Sequence, residues 1–585
     1  MDTNDLDTNM GNEDFLNGRF SDNHSSDDEF TDDDSGDDND GELDEESILK
    51  MKHKDPTFMT LVMRRISEGA NGMKAGSCIG DSARLKKFSI EGESINWKGD
   101  PKTYDWFMQF FTGLARNRSI DYLAFRDCNL DDEAAVTTFA RLTPFFELNS
   151  SLYSLEMSSC NVGDEITRLL ASALSKRCNK SSLHRINLDA NLIGDEAGKE
   201  LVDALKGYDN LSELSLGDNE IGRKGCIALG NLLSHPSGNL KDLNLENNRI
   251  DDDCISSVTN NLASNKKTSL KELSLSFNCN ITQAGWQMLS TCLQNQDSAL
   301  EKLDISSTDV TDEGVIALGS SLIKNKTLKA LDLYDLSSDG RPLISGIGWQ
   351  GFFVCLQNQE SALERIDLRY SSIDEGGLTA LTNALANNST LKMLDLSHNK
   401  SISARQWRPF FACLGYPNVE LEELCLCDNN VTDEELAYLA QSLAKNRTLK
   451  ALDLGATSSI TNTGWAPFSR LLCDKSSISS IHASNHTLEF LGDQRIPVDL
   501  DDLLQLNEQR NKMIVSREKI LKYHFQNSEN NVQEFIDVES KVLPHAINVI
   551  SQICSNGAGR TLLFELLRTF SVKNGILLHV AHQYY

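Results

Sequence analysis

Four aspartates occupy one place in four successive copies of a repeating pattern: Asp304, Asp332, Asp367 and Asp395 each sit between two Leu or Ile residues, in LDI, LDL, IDL and LDL. Tyr334 and Arg369 stand two residues beyond the second and third of them. Carboxylates repeated at one spacing can gather cations, and Tyr and Arg are frequent anchors at protein interfaces. The chemistry this points to is capture of a basic protein segment, with Asp304, Asp332, Tyr334, Asp367, Arg369 and Asp395 as the binding residues. The apolar neighbours of each aspartate must point the other way, because side chains alternate along a strand. Short strands stacked about 4.8 Å apart would then align like positions in rows. The full row reads Asn187, Ser215, Asn244, Ser274, Asp304, Asp332, Asp367, Asp395, Cys425, Asp453. An aspartate between two leucines is also common repeat grammar, so Tyr334 and Arg369 carry more of the binding expectation than the acids do.

Other chemistry is weaker. GDNEIGRK at 217–224 is Gly-containing but lacks the Gly-Lys-Ser/Thr ending of a phosphate-binding loop, and SNGAGRT at 555–561 reads as a turn between helices. Eleven His are dispersed without metal-ligand spacing, and Cys425-x-Cys427 puts two thiols on one face of one strand. No catalytic triplet can be singled out, and neither a cofactor nor enzymatic activity is expected.

The elements that would position the aspartates come from the unit LEKLDISSTDVTDEGVIALGSSLIKNKTL, residues 300–328. Leu300, Leu303 and Ile305 give a strand, and Val315, Leu318 and Leu322 follow at helical spacing. One strand and one helix cannot bury both apolar faces alone, so the units must stack. Anchors recur at Leu85, Ile120, Leu152, Leu183, Leu211, Leu240, Leu270, Leu300, Leu328, Leu363, Leu391, Leu421, Leu449 and, degraded, Ile478. Three residues after the third apolar position stand Asn191, Asn219, Asn248, Asn278, Asn399 and Asn429, or Cys128 and Cys160. Such side chains can bond the turning backbone repeat after repeat.

This L-x-x-L-x-L-x-x-N/C-x-L frame resembles the leucine-rich repeats of the ribonuclease-inhibitor type. The resemblance implies an α/β leucine-rich-repeat solenoid, a horseshoe with a concave parallel sheet, convex helices and helical terminal caps. Trp286, Trp349, Trp407 and Trp465 mark alternate repeats, so the ancestral unit reads as a pair. Paired repeats with the I-T-x-x-G-W motif are similar to largely uncharacterised families of diatoms and related algae. With no catalytic motif, and with the large preformed interface a solenoid offers at little ordering cost, the leading reading is an intracellular scaffold or receptor that holds a partner protein on the concave face. The Ran GTPase-activating proteins share this repeat type and carry a long acidic segment, which makes regulation of a small GTPase the alternative. Here the acidic segment is N-terminal, and no activating residue carries over.

The chain of 585 residues has a net charge of −30, and residues 1–50 alone hold 19 Asp and Glu against Arg19 and Lys50. An acidic surface does not suit nucleic acid. Four regions follow: 1–50 as an acidic disordered arm, 51–84 as an N-terminal helical cap, 85–496 as a solenoid of about fourteen repeats, and 497–585 as a C-terminal helical cap. Ser25, Ser26, Thr31 and Ser35 precede acidic runs suited to acidophilic kinases. Fourteen scattered Cys imply reduced thiols, and no apolar run approaches the ~20 residues of a membrane helix. A monomer in the cytoplasm, with the nucleus also open to it, is the expectation.

Overall fold

The computed structural model describes residues 85–91 and, apart from gaps at 132, 265–268, 296–297, 335–343, 359–360, 456, 458, 493–495, 509–510 and 521, residues 101–523. The acidic arm, the helix expected within 51–84, most of the insertion at 334–348 and the segment after 523 lie outside the described residues.

Among the described residues, fourteen strands form one parallel sheet whose order is the order of the sequence. They are β1 (Lys87–Glu91), β2 (Tyr122–Arg126), β3 (Ser154–Ser158), β4 (Arg185–Asn187), β5 (Glu213–Ser215), β6 (Asp242–Asn244), β7 (Glu272–Ser274), β8 (Lys302–Asp304), β9 (Ala330–Asp332), β10 (Arg365–Asp367), β11 (Met393–Asp395), β12 (Glu423–Cys425), β13 (Ala451–Asp453) and β14 (Phe490–Leu491). A helix returns the chain between successive strands, as in Asp312–Leu322 between β8 and β9. The anchors fill the space between sheet and helices: Leu303, Leu331, Ile366 and Leu394 are all 0% exposed. One anchor is misplaced in the sequence reading. Ile478 opens a helix, Ile478–Ala483, and the last strand follows Leu488 instead. The extra helix makes this interval too long for the usual period.

Three sets of side chains knit one repeat to the next. Asn278 donates to the carbonyls of Leu245, Leu275 and Ser276 and accepts from the amides of Asn248 and Ile250, so it ties its own turn to that of the preceding repeat. Asn191, Asn219, Asn248, Asn399 and Asn429 do the same. Where Ser371 replaces Asn, its hydroxyl still donates to the Leu333 carbonyl. This bonding supports a strained turn: the residue two beyond the third apolar position is left-handed in repeat after repeat, with φ of 51° at Asp218, 57° at Phe277, 56° at Tyr370 and 60° at His398. A non-glycine residue there costs about 1–2 kcal/mol, offset by the buried bonds around it.

The second set opens the strands. Asn325 and Asn388, which head N-x-S/T triplets, are 3% and 2% exposed and accept the amides of Leu328 and Leu391 at 2.8 Å each. These triplets are helix-to-strand turns, and their burial closes them to glycosylation. The third set opens the helices. Asp195, in the first turn of its own helix, accepts amides of Gly222, Lys224 and Gly225 in the next repeat, at 3.0, 3.0 and 2.7 Å. Asp252, Asp312 and Asp433 likewise reach Thr282, Ser345 and Thr461.

The Trp series is packing. Trp286, Trp349, Trp407 and Trp465 are each 0–1% exposed. A Cβ on Gly314 would lie 3.1 Å from Trp286, and one on Gly377 3.1 Å from Trp349, so each indole seats against a glycine of the following helix. In the next pair Glu435 takes the glycine's place; it is 1% exposed and bonded by Arg408, the neighbour of Trp407, at 3.0 and 2.9 Å. Beyond β14, helices Val498–Asn507 and Lys512–Ile520 pack on the last repeat through Leu500, Leu503 and Ile520. Asn507 there donates to the Leu488 carbonyl at 2.6 Å, and Lys519 to those of Leu472 and Asn507's side chain at 2.8 and 2.6 Å.

Candidate functional site

Strand pairing places Asp304, Asp332, Asp367 and Asp395 side by side in one row, with Ser274 before them and Cys425 after. Each lies on the sheet face turned away from the helices, because the residue before it is core. Their first use is local. Asp304, Asp367 and Asp395 accept the amide two residues on, at 3.0, 3.1 and 2.8 Å, as Asn187 and Asn244 do in earlier repeats. This Asx-type bond is the physical reason for Asp or Asn at that position.

The acids are also less open than the pattern suggests. Asp332, Asp367 and Asp395 are only 6%, 2% and 3% exposed. Arg369 supplies their cation from within the chain: its Nε donates to both oxygens of Asp367 at 3.1 and 3.0 Å and lies 3.7 Å from Asp395. Its guanidinium lies over the Tyr334 ring, 5.0 Å from the centroid. Burial works against charge on Arg369, but Asp367 and Asp395 outweigh it and raise its pKa. Asp332 is 3.4 Å from Arg365. Burial, helped by the neighbouring acids, pushes the Asp332 carboxyl up to about 6 and that of Asp395 up to about 7. Tyr334, raised to about 12 by burial and then by Asp304, stays protonated. The structure therefore gathers Tyr334, Asp367, Arg369 and Asp395 into one internally paired cluster, with Asp332 and Asp304 adjoining. An incoming cation would meet Asp367 and Asp395 with the Arg369 guanidinium already beside them.

Two features escaped the sequence reading. The third residue of each repeat also faces outward, adding Arg185, Glu213, Asp242, Glu272 and Lys302 in register. With the small residues of the central row they enclose a hollow of about 630 Å³ over β3–β8. The signal was present in L-x-x-L, whose second x alternates with the core just as the aspartate does. The other feature is Tyr370, 40% exposed and stacked on His398 at 4.0 Å, with His398 Nδ1 3.0 Å from Asp428. These lie at the left-handed turn position, where nothing in the apolar pattern marks them.

Two of the remaining motifs lose their chemistry, and 555–561 lies outside the described residues. In 217–224 the Gly222 and Lys224 amides are already taken by Asp195. The thiols of Cys425 and Cys427 are pushed far up by burial, with Asp395 and Asp453 adding to it, so they stay unionised. Among the described residues no group of three or more His, Cys, Asp or Glu could hold a metal ion, and no helix is long and apolar enough to cross a membrane.

A family model described as Leucine Rich repeat matches residues 148–171, 210–230, 266–290, 298–319 and 387–405. The chain is 28% identical over 285 residues to NACHT, LRR and PYD domains-containing protein 14 of Homo sapiens, covering 48% of this chain and 24% of that one. It is 28% identical over 307 residues to the ribonuclease inhibitor of Sus scrofa, covering 52% and 64%. The chain thus spans less than two thirds of the length of either relative. Its overlay on the crystal structure of the Rad7 and Elc1 complex in yeast has a TM-score of 0.37 at 14% identity, covering 69% of this chain and 84% of that one. The family model, the sequential parallel sheet and the asparagine-tied turns mark this chain as a leucine-rich-repeat protein, and its repeats are similar to those of the ribonuclease inhibitor.

Proposed function

We propose that the chain is a non-enzymatic binding scaffold that holds a partner protein on its open sheet face, through Asp304, Asp332, Tyr334, Asp367, Arg369 and Asp395. The observation that carries this reading is the face itself. Among the described residues, the fourteen strands carry their helices on one side of the sheet, and a rigid open surface of that kind binds at little ordering cost. Tyr334, held in place by the Arg369 guanidinium that Asp367 pairs, is a preorganised aromatic anchor within the acidic row. The name of the pig relative states that it inhibits a ribonuclease, and the same use of the repeats is extended here to a partner with a basic segment.

The test is affinity capture with the tagged full chain and mass spectrometry, followed by a Tyr334→Ala, Asp367→Asn double variant. Asn keeps the bond to the Arg369 amide while removing the charge. Binding of the captured partner should weaken with the fold intact. Equal binding by parent and variant rejects this part of the face.

A further inference from the structure

Asparagine closes the helix-to-strand junctions of the last repeats with groups that do not titrate. Asn446 Oδ1 accepts the amides of Thr448 and Leu449 at 3.0 and 2.8 Å, while its Nδ2 donates to the Leu414 carbonyl of the preceding repeat at 2.8 Å. Asn485 does the same with the amides of Thr487 and Leu488 and the carbonyl of Leu443. Asn507, at the end of helix Val498–Asn507, takes the next place, and its Nδ2 donates to the carbonyls of Leu488 and Asn485 at 2.6 and 3.4 Å. Among the described residues no strand follows it, and its Oδ1 accepts instead from Lys519 Nζ at 2.6 Å. A lysine stands where the two repeats before it use backbone amides.

Lys519 is 0% exposed and has no salt bridge among the described residues. Its three protons go to neutral acceptors: Asn507 Oδ1, the Leu472 carbonyl at 2.8 Å and His486 Nδ1 at 3.3 Å. His486, also buried, is fixed in one tautomer by its two contacts. Its Nε2 meets the His482 carbonyl at 3.3 Å, which can only accept, so the ring proton sits there and Nδ1 keeps the lone pair that the ammonium requires. A second ring proton would point at Lys519. The other titratable or charged groups acting on the pair are Arg447 and His482 beside His486, and Lys512 and the Cys473 thiol beside Lys519. Lys512 is itself paired with Glu489 at 2.7 Å, so none of them offers His486 a counter-charge.

We infer that helices Val498–Asn507 and Lys512–Ile520 form an acid-released latch, which protonation of His486 against Lys519 undocks from the last repeat while the repeats themselves stay folded. Burial, and then Lys519, lowers the His486 pKa from 6.5 to about 3. The undocked form therefore binds the extra proton more readily, and docking weakens by about tenfold or more as pH falls from 6.5 to about 5. Burial lowers Lys519 to about 7, so its own titration lies above that window.

Three cysteines read the opening in the full chain. Cys473, 3% exposed and near enough to Lys519 for their charges to interact, reports the latch; the fully buried Cys355 reports the repeats; the exposed Cys178 corrects for the reagent's own pH dependence. The protein is labelled briefly with dithiodipyridine at a series of pH values, and each cysteine is quantified by peptide mass spectrometry. Relative to Cys178, labelling of Cys473 should rise about tenfold or more from pH 6.5 to about 5 while Cys355 stays protected. His486→Gln, which cannot take the proton, should flatten that rise. Should this variant leave Cys473 open at every pH, Lys519→Met decides: without the ammonium the acid rise should shrink, and a rise equal to the parent's overturns the latch. A flat parental curve, a rise that His486→Gln retains, or Cys355 opening in step with Cys473 overturns it as well.

Discussion

Replacing Asn278 by Ala should open one seam of the array, and the structure sets the size of the effect. The side chain is 0% exposed, donates to three carbonyls and accepts from the amides of Asn248 at 3.0 Å and Ile250 at 3.1 Å. Each buried group left unpaired costs about 1–3 kcal/mol. Two amides lose their acceptor outright, while two of the three carbonyls lie within the same turn and can relax. A total of about 3–5 kcal/mol follows, and at 1.4 kcal/mol per tenfold this is a factor of roughly 10² or more. Hydrogen exchange read residue by residue is the assay. The amides of Asn248 and Ile250 should exchange at least about a hundredfold faster. The Ile193 amide, held by Asn219 at 3.0 Å in a more distant repeat, should be unchanged because repeats couple to their neighbours. Wild-type protection at Asn248 and Ile250 refutes the reasoning, as does an equal loss at Ile193.

Leu303→Asp places a charge at a 0% exposed site between sheet and helices and should cost about 4 kcal/mol or more, seen as a lowered and broadened melt; a parental melting curve contradicts the register. Gly377→Leu must force its side chain past Trp349 and Ile373, 3.1 and 3.0 Å from the new Cβ; a loss of about 1–3 kcal/mol with altered Trp emission is expected, and a neutral result removes the indole–glycine contact as a determinant. Lys519 is buried, and its pKa falls to about 7, while burial and Lys519 lower His486 to about 3. Both unfolded forms bind more protons than the folded ones, so stability gained from this junction rises with pH between about 3 and 6.5 for His486 and between about 7 and 10.5 for Lys519. Proteolysis of the terminal helices should therefore be fastest in acid, and a pH-independent rate contradicts the assignment.

The repeat frame was open to reading because each anchor answers to one period, two in the strand and about 3.6 in the helix. Leu303, Val315 and Leu318 could hardly be placed otherwise. Ile478 was misread because it is an apolar residue at nearly the right distance, and nothing local tells a helix start from a strand start when a longer interval intervenes. The row of aspartates was legible for the same periodic reason. Its chemistry was not, since pairing of Asp367 and Asp395 with Arg369 depends on how far a guanidinium reaches across neighbouring strands. The hollow was missed because it is made by small side chains, which leave no mark in a pattern built from large ones.

The seat that Gly314 and Gly377 give to Trp286 and Trp349 imposes a parity on the array. Excising one unit from this half would set an indole against a neighbour with no recess for it, or leave a recess with nothing to fill it, at a junction where every anchor still matched. Excising two would restore the original junction. Viable shortenings, extensions and grafts of this half should therefore come in even numbers. Glu435 marks where that rule has been relaxed, because Arg408 now fills by charge what the glycine had left as space.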